Sequence, residues 1–538
     1  MKGEGGVNRR KISNFIIFLG VILLIIISIK HKQSMDIQND SSLLESKTEI
    51  IQKADDIINN KYVFAVSEND KEFVFQFPED IFEIDNEIRS VQRKIYNFEI
   101  LEYLRTAYKL TLKKEYIEKG MEYIRFFTEH APFDPEHMTW HDETTAGRLN
   151  NYYEFYKDGY NVLSDSDKSL LEEEMKFIAE KIAYTDFYSG NNNHGMYQDS
   201  AMLKYAVEFN DTEMIDVSSR RLSEYFVSHF DKDGVHLENS PEYHYHMVES
   251  LKEILNRYNK EQLLSYDTLE EIYVKSADYA QMIILPNGLI PNVGDSKNME
   301  INLEKYYPSE IIDQAQSNGR ATYYESGYDI VKEDDTYLLF RAGYLQDYHH
   351  HDDDLSFWLY KDGNIFTEVG SYGYEYTVPY TNYAKTFHAH NTLIVDSENE
   401  TETRDVYLLD SKDPNIMSGE THRIVGTYFK RDIHFNDELT EFTIIDFIEN
   451  KNGESHDYEL LFHLDPNISI EVINGKNENI VELIRGDEKI GEFSTEFPIT
   501  ITEDVYFPFY YAEPEETKVI VVEANGTQAI VESKIFLY

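Results

Sequence analysis

The chain of 538 residues contains no cysteine. Disulfides, thiolate metal sites, cysteine nucleophiles and a lipid-bearing N-terminal cysteine are all excluded. Basic residues are scarce as well: 50 Lys and Arg stand against 100 Asp and Glu, a formal net charge of −50. Nucleic acid is therefore not expected as a partner, because phosphate binding requires basic patches. An acidic polymer would need a local basic or histidine-rich groove on an otherwise repelling surface. Internal repeats and low-complexity tracts are missing too. What the chain has in excess is tyrosine, with 42 residues. A tyrosine offers a flat apolar face and a hydroxyl, which suits a carbohydrate groove. Apolar residues make up 41%, enough for two or more globular domains at this length.

Long hydrophobic runs are confined to Ile12–Ile29, which is free of charge and follows Lys2, Arg9, Arg10 and Lys11. A helix of this length can just span a hydrocarbon core of roughly 30 Å. The flanking charges keep the N-terminus inside. After Ile29 the chain reads Lys-His-Lys-Gln-Ser, with no small-x-small cleavage signal. We expect a cytoplasmic tail and uncleaved signal anchor over 1–32, with the rest of the chain outside the membrane; cleavage would instead release a secreted protein. Residues 33–75 are polar and read as a stalk with a short helix over Leu43–Asn59.

From about Ile84 to Tyr324 apolar residues recur at three- and four-residue steps, as in Leu170, Leu171, Met175, Ile178 and Ile182, with Asp165 or Ser166 as a cap. Near Asp329 the pattern changes to short β-branched and aromatic runs: Tyr337–Arg341, Leu355–Tyr360, Ile365–Val369, Thr392–Asp396, Phe442–Phe447, Tyr458–Leu464 and Val519–Glu523. Asp362-Gly363 between two of them signals a hairpin. The spacing predicts an α+β chain, helical over 76–328 and an antiparallel sandwich over 329–538, with a smaller β lobe after about 470.

Four polar clusters carry candidate chemistry. Asn191-Asn192-Asn193-His194-Gly195 precedes a helix, yet one cap needs only one asparagine. In Glu238-Asn239-Ser240-Pro241-Glu242-Tyr243-His244, Ser240 and Pro241 fit a helix start. Tyr243 and His244 then stand where the helix dipole favours developing negative charge. His349, His351 and Asp353 alternate just before a predicted strand and would share one face, away from His350. With His388, His390 and Glu368 nearby, they could build a three-ligand site for Zn²⁺ or another first-row metal. Trp140-His141-Asp142 and Arg148 could hold a sugar carboxylate, or form an ordinary surface pair.

In chain order, NNNHG, ENSPEYH, HHHDDDLSFWLYKDG and HAHNTLIVD resemble the heparinase II/III-like polysaccharide lyases, a group that includes alginate and oligoalginate lyases. The resemblance spans roughly residues 85–470. It implies an incomplete (α/α) toroid followed by an antiparallel β-sandwich. It also implies Tyr243 as proton donor and base, Asn193 and His194 facing a uronate carboxylate, and His349 as a further neutralising group. Asn192, His244 and Tyr383 are expected as substrate contacts beside Trp140, His141 and Arg148. Tyr372, Tyr374, Tyr376 and Tyr380 compete with Tyr383 for that place. A structural zinc would be held by His351, His390 and Glu368, the last standing where the family usually has Asp in an Asp-x-Gly turn.

The implied reaction removes the proton α to a uronate carboxylate and expels the 4-O-linked sugar. Neutralising the carboxylate with Asn and His donors contributes on the order of 10²–10³ in rate each. No nucleophile is needed. A toroidal glycoside hydrolase would instead need two flanking carboxylates, for which Asp142, Glu238 and Glu242 are available. A non-catalytic glycan-binding protein is the other alternative.

Overall fold

The computed structural model describes residues 47–64, 73–82, 84, 89–132, 134–474 and 479–538. Among the described residues no helix is long and apolar enough to cross a membrane. The expected anchor, Ile12–Ile29, lies outside the described residues. The chain divides into two compact units, Met1–Ser218 and Ser219–Tyr538.

The first unit is helical. Its main helices are Ile100–Thr111, Glu115–His130, Asp142–Gly159, Asp165–Ala183 and Asn193–Phe209. Each buries residues spaced by three or four, such as Ile117, Met121, Ile124 and Leu171, Met175, Ile178, Ile182. The cap of Asp165–Ala183 is Ser164, just before the expected Asp165 or Ser166, with Oγ accepting from Asp167 N at 3.2 Å. Part of the expected stalk belongs to this core. Lys61–Phe64 pairs antiparallel with Phe73–Gln76, and Ala54, Ile57, Tyr62 and Phe64 are buried. These apolar residues are sparse in sequence but fall on one face of a helix and a strand.

The second unit carries helices Pro241–Arg257 and Tyr266–Met282, and then turns to antiparallel sheets. The first strand is Gly319–Tyr323, so helix gives way to strand close to where the residue pattern changes. Five strands in chain order, from Gly319–Tyr323 to Asn364–Phe366, form a meander. Its last hairpin turns at Asp362-Gly363, both at positive φ, as the sequence signals. An eight-stranded and a four-stranded sheet follow. Ile468–Asn474, Asn479–Arg485 and Glu488–Thr495 join the eight-stranded sheet, so no separate lobe begins at 470. One core joins residues of all three sheets, among them Phe340, Phe357, Ile433, Ile444, Leu460 and Val522. Inside it Arg431 and Asp446 form a fully buried pair at 2.6 Å.

Candidate active site

In the second unit, four loops converge on the start of the Pro241–Arg257 helix. Ser240 caps that helix, and its Oγ donates to Asp295 O at 2.9 Å. Asn239 ties the histidine loop down: its side-chain amide donates to Gln346 O at 2.8 Å and Tyr348 O at 3.1 Å. Gly294 completes the junction at φ +56, where an added Cβ would come within 2.4 Å of Asn239 O. The residues of the ENSPEYH motif flanking Tyr243 are thus the fasteners, and Tyr243 is what they position.

The Tyr243 ring stacks on His349 with centroids 3.6 Å apart. Its hydroxyl lies 3.1 Å from Tyr374 Oη, which in turn lies 3.3 Å from His349 Nδ1. Burial pushes both phenols up, so both are protonated at neutral pH. His349 itself has φ +56, a conformation a histidine adopts at some cost. The buried carboxylate of Asp295 organises the rest. Its Oδ2 accepts from His349 Nδ1 at 3.0 Å and Lys385 Nζ at 3.2 Å, while its Oδ1 accepts from His351 Nε2 at 3.0 Å and Ser371 Oγ at 3.1 Å. Burial raises the Asp295 carboxyl, but hydrogen bonds from the two histidines and the Lys385 charge outweigh it and hold the group ionised.

The expected strand alternation is not what joins His349 and His351. Residues 343–356 form a loop, and the strand starts at Phe357. The two imidazoles meet because they share one carboxylate. His350 faces away and stacks on Tyr344 at 3.7 Å. Asp353 lies 3.6 Å from Arg341 Nε.

Several expected contacts take other roles. His244 is fully buried, its ring 4.7 Å from Tyr279, and burial lowers its pKa to about 3. It therefore belongs to the core behind Tyr243. The Tyr383 hydroxyl donates to Asp504 at 2.6 Å, and Tyr374 is the tyrosine beside Tyr243. Glu242 is held by Lys297 Nζ at 3.1 Å and His246 Nε2 at 3.4 Å; burial raises its carboxyl, but these partners bring it below the ordinary value. It is a poor proton donor, which weakens a hydrolase reading.

In the first unit, Asn192 caps the Asn193–Phe209 helix. Its Oδ1 accepts from Gly195 N at 3.0 Å and its Nδ2 donates to Ser189 O at 2.7 Å, so both ends of the amide are engaged. Asn193 and His194 stand in the first turn, partly exposed. His194 Nδ1 donates to Asp142 Oδ2 at 3.0 Å. Arg148 is not a substrate contact. It is fully buried between the Phe127 and Trp140 rings, at 4.9 and 5.0 Å, and donates to Tyr96 O and Thr139 O. The Trp140 indole donates to Pro132 O at 2.6 Å. His141 accepts a hydrogen bond from Arg89.

Two groups come into question for a metal. His351, Glu368 and His390 are buried, with His390 Nδ1 3.2 Å from Glu368 Oε2 and the two imidazole rings 5.4 Å apart. Apart from that His390–Glu368 ion pair, His351 Nδ1, both His390 nitrogens and Glu368 Oε2 have no hydrogen-bond partner. His351 gives its other nitrogen to Asp295, the arrangement common behind a metal-bound imidazole. This donor set fits zinc in kind, although its atoms do not all come within 4.8 Å of one another, as those of His141, Asp142 and Glu143 do. In that second group Arg93 pairs with Glu143 at 2.6 Å and Arg89 with His141. The protein already supplies the positive charge there.

Residues 28–317 match the model of the heparinase II/III N-terminus, and residues 315–533 that of the heparinase II/III-like C-terminal domain. The heparan sulfate lyase HepC from Pedobacter heparinus superposes with a TM-score of 0.69 at 14% identity, over 92% of this chain and 83% of that one. A heparinase III structure gives 0.70 at 16%, over 84% and 78%. A chondroitin AC lyase from Streptomyces coelicolor A3, solved in complex with chondroitin sulphate, gives 0.56 at 10%, over 91% and 79%. At these identities the likeness is one of fold. None of the curated proteins is similar in sequence. A helical region followed by antiparallel sheets, with this pair of matching domains, defines a polysaccharide lyase. The chain belongs to the heparinase II/III-like family.

Sequence reasoning missed Asp295. It lies in a Pro- and Gly-rich loop that reads as a connector, and its partners are 54 to 90 residues away. A lone acid after a glycine that must adopt positive φ is the only local signal.

Proposed function

We propose that this chain cleaves a uronic-acid-containing acidic polysaccharide by β-elimination. The observation that carries the reading is Tyr243 stacked on His349 and hydroxyl-bonded to Tyr374, beside a carboxylate-anchored imidazole. Tyr243 serves as general acid and base: as the ionised phenolate it takes the α-proton, and it passes that same proton to the departing 4-oxygen. His349, and in the first unit Asn193 and His194, neutralise the uronate carboxylate as the α-proton leaves. A protonated phenol suits donation to the departing 4-oxygen, and such help contributes about 10²–10⁴ in rate. Lys385 is a local cation on an otherwise acidic chain, standing 5.6 Å from the ring of the exposed Tyr376. Solved neighbours act on heparan sulfate and bind chondroitin sulphate, which supports an acidic polymer as the substrate class. The helical part is read as an incomplete toroid and the sheets as a sandwich on the strength of the motif resemblance.

The test is a panel of uronate polymers incubated with the protein. A lyase creates a C=C conjugated to the carboxylate, seen as new ultraviolet absorbance. New reducing ends without that absorbance would mark a hydrolase and overturn the reading.

We also propose that Ile12–Ile29 anchors the chain in the cell membrane with the catalytic parts outside, on the strength of its length and basic flank. A zinc ion, where bound, would be held by His351, His390 and Glu368 and would fix the loop that carries His349. Added Zn²⁺ is expected to raise the thermal midpoint of the wild-type protein and to leave that of His390→Ala unchanged. Equal responses from the two would remove this assignment.

A further inference from the structure

We propose that Asp142, backed by Glu143, holds His194 as an imidazolium, so that the ring meets an incoming carboxylate as a charged donor. This rests on the reading of His194 as a uronate-neutralising residue.

The geometry lies wholly in the first unit. His194 sits in the first turn of Asn193–Phe209, and Asp142 and Glu143 in the first turn of Asp142–Gly159. His194 Nδ1 is 3.0 Å from Asp142 Oδ2, and its Nε2 is 3.7 Å from Glu143 Oε1. Asp142 is itself fixed, with Ser189 Oγ donating to Oδ2 at 2.5 Å and His141 Nδ1 2.7 Å from Oδ1.

The tautomer follows from these contacts. A carboxylate accepts only, so His194 Nδ1 carries hydrogen. In a neutral ring Nε2 would then be a bare lone pair, which repels a substrate carboxylate. Only the doubly protonated ring presents a donor there. Opposing forces act on that proton. Burial, Arg93, the positive end of the helix dipole and Arg89 behind His141 disfavour it. Asp142 and Glu143 favour it. The hydrogen bond to Asp142 is the largest contribution, and the carboxylates prevail: His194 is raised above its ordinary value. Burial pushes the Asp142 carboxyl up, but hydrogen bonds from His141, His194 and Ser189 outweigh this and keep it ionised.

A raised imidazole value keeps the charge at neutral pH and loses it as pH climbs through the folded value. Removing the carboxylate moves that loss to lower pH. The experiment is an NMR titration of full-length protein labelled at histidine, with His194 assigned by its absence in His194→Gln. The wild-type midpoint is expected above the unperturbed value of about 6.5, and Asp142→Asn is expected to lower it by about one unit, tenfold in the proton equilibrium. The alkaline limb of kcat/KM should move down with it, and Asp142→Glu should restore both in part. A wild-type midpoint at or below about 6.5 would overturn the proposal, and that measurement stands whether or not Asp142→Asn folds. An unmoved midpoint in folded Asp142→Asn would overturn it as well. An unshifted titration in an active lyase sinks the Asp142–His194 pair alone. A shifted titration with no absorbance from any uronate polymer sinks the lyase reading alone.

Discussion

Tyr243→Phe is expected to lower lyase turnover by about 10²–10⁴-fold, the ordinary contribution of a positioned acid or base. The substitution is nearly volume-neutral. The ring that stacks 3.6 Å from His349 remains, and so do the cap at Ser240 and the helix behind it. What disappears is one hydroxyl, with its 3.1 Å bond to Tyr374. Thermal stability should therefore change little, while initial rates of ultraviolet absorbance collapse. Because burial favours the protonated phenol, a Tyr243 that has taken the α-proton is ready to give it to the leaving oxygen, with Tyr374 and His349 standing behind it. Tyr374→Phe should accordingly cost less than Tyr243→Phe, since it removes the second link and spares the first. Full activity in Tyr243→Phe would refute the mechanism, and equal losses in the two variants would move the proton transfer to Tyr374.

How legible the molecule is from its sequence depends on whether a feature is local. Periodicity of 3.6 and of 2 is local, and the main helices, some of the strands and the Asp362-Gly363 turn follow from it. Cap chemistry is nearly so, and Ser240 stands where Ser-Pro announces it. The site is not local. Alternation groups His349 with His351 through a strand that does not exist, and the pairing survives only because Asp295 binds both. Arg148 has the composition of a surface cation, yet its guanidinium fills a gap between Phe127 and Trp140. Tyr374 and Tyr383 have similar surroundings in sequence. Asp504, far along the chain, captures the second and leaves the first beside Tyr243. Motif resemblance supplies the proposed reacting groups, and tertiary contacts decide which neighbours stand beside them.

Asp295→Asn is expected to have the largest effect on stability, about 3–5 kcal/mol, the ordinary cost of breaking a buried charged pair by removing one partner. The side chain is 1% exposed and its carboxylate accepts from His349, His351, Ser371 and Lys385. Lys385 is partly exposed and can turn to water, but His351 is enclosed and has no solvent to accept its proton. An asparagine also presents two N–H groups to imidazoles that now donate, so one ring must change tautomer or move. Movement of His349 matters most, because its φ of +56 is held from outside by Asn239 and the Asp295 backbone. Activity should thus fall together with stability. The decisive measurement is a double-mutant cycle with His349→Ala. If Asp295 acts through His349, the double variant turns over no more slowly than His349→Ala alone. If the two losses multiply in full, Asp295 serves the reaction by another route, and a urea midpoint unchanged in Asp295→Asn would show that the buried carboxylate does not hold these loops together.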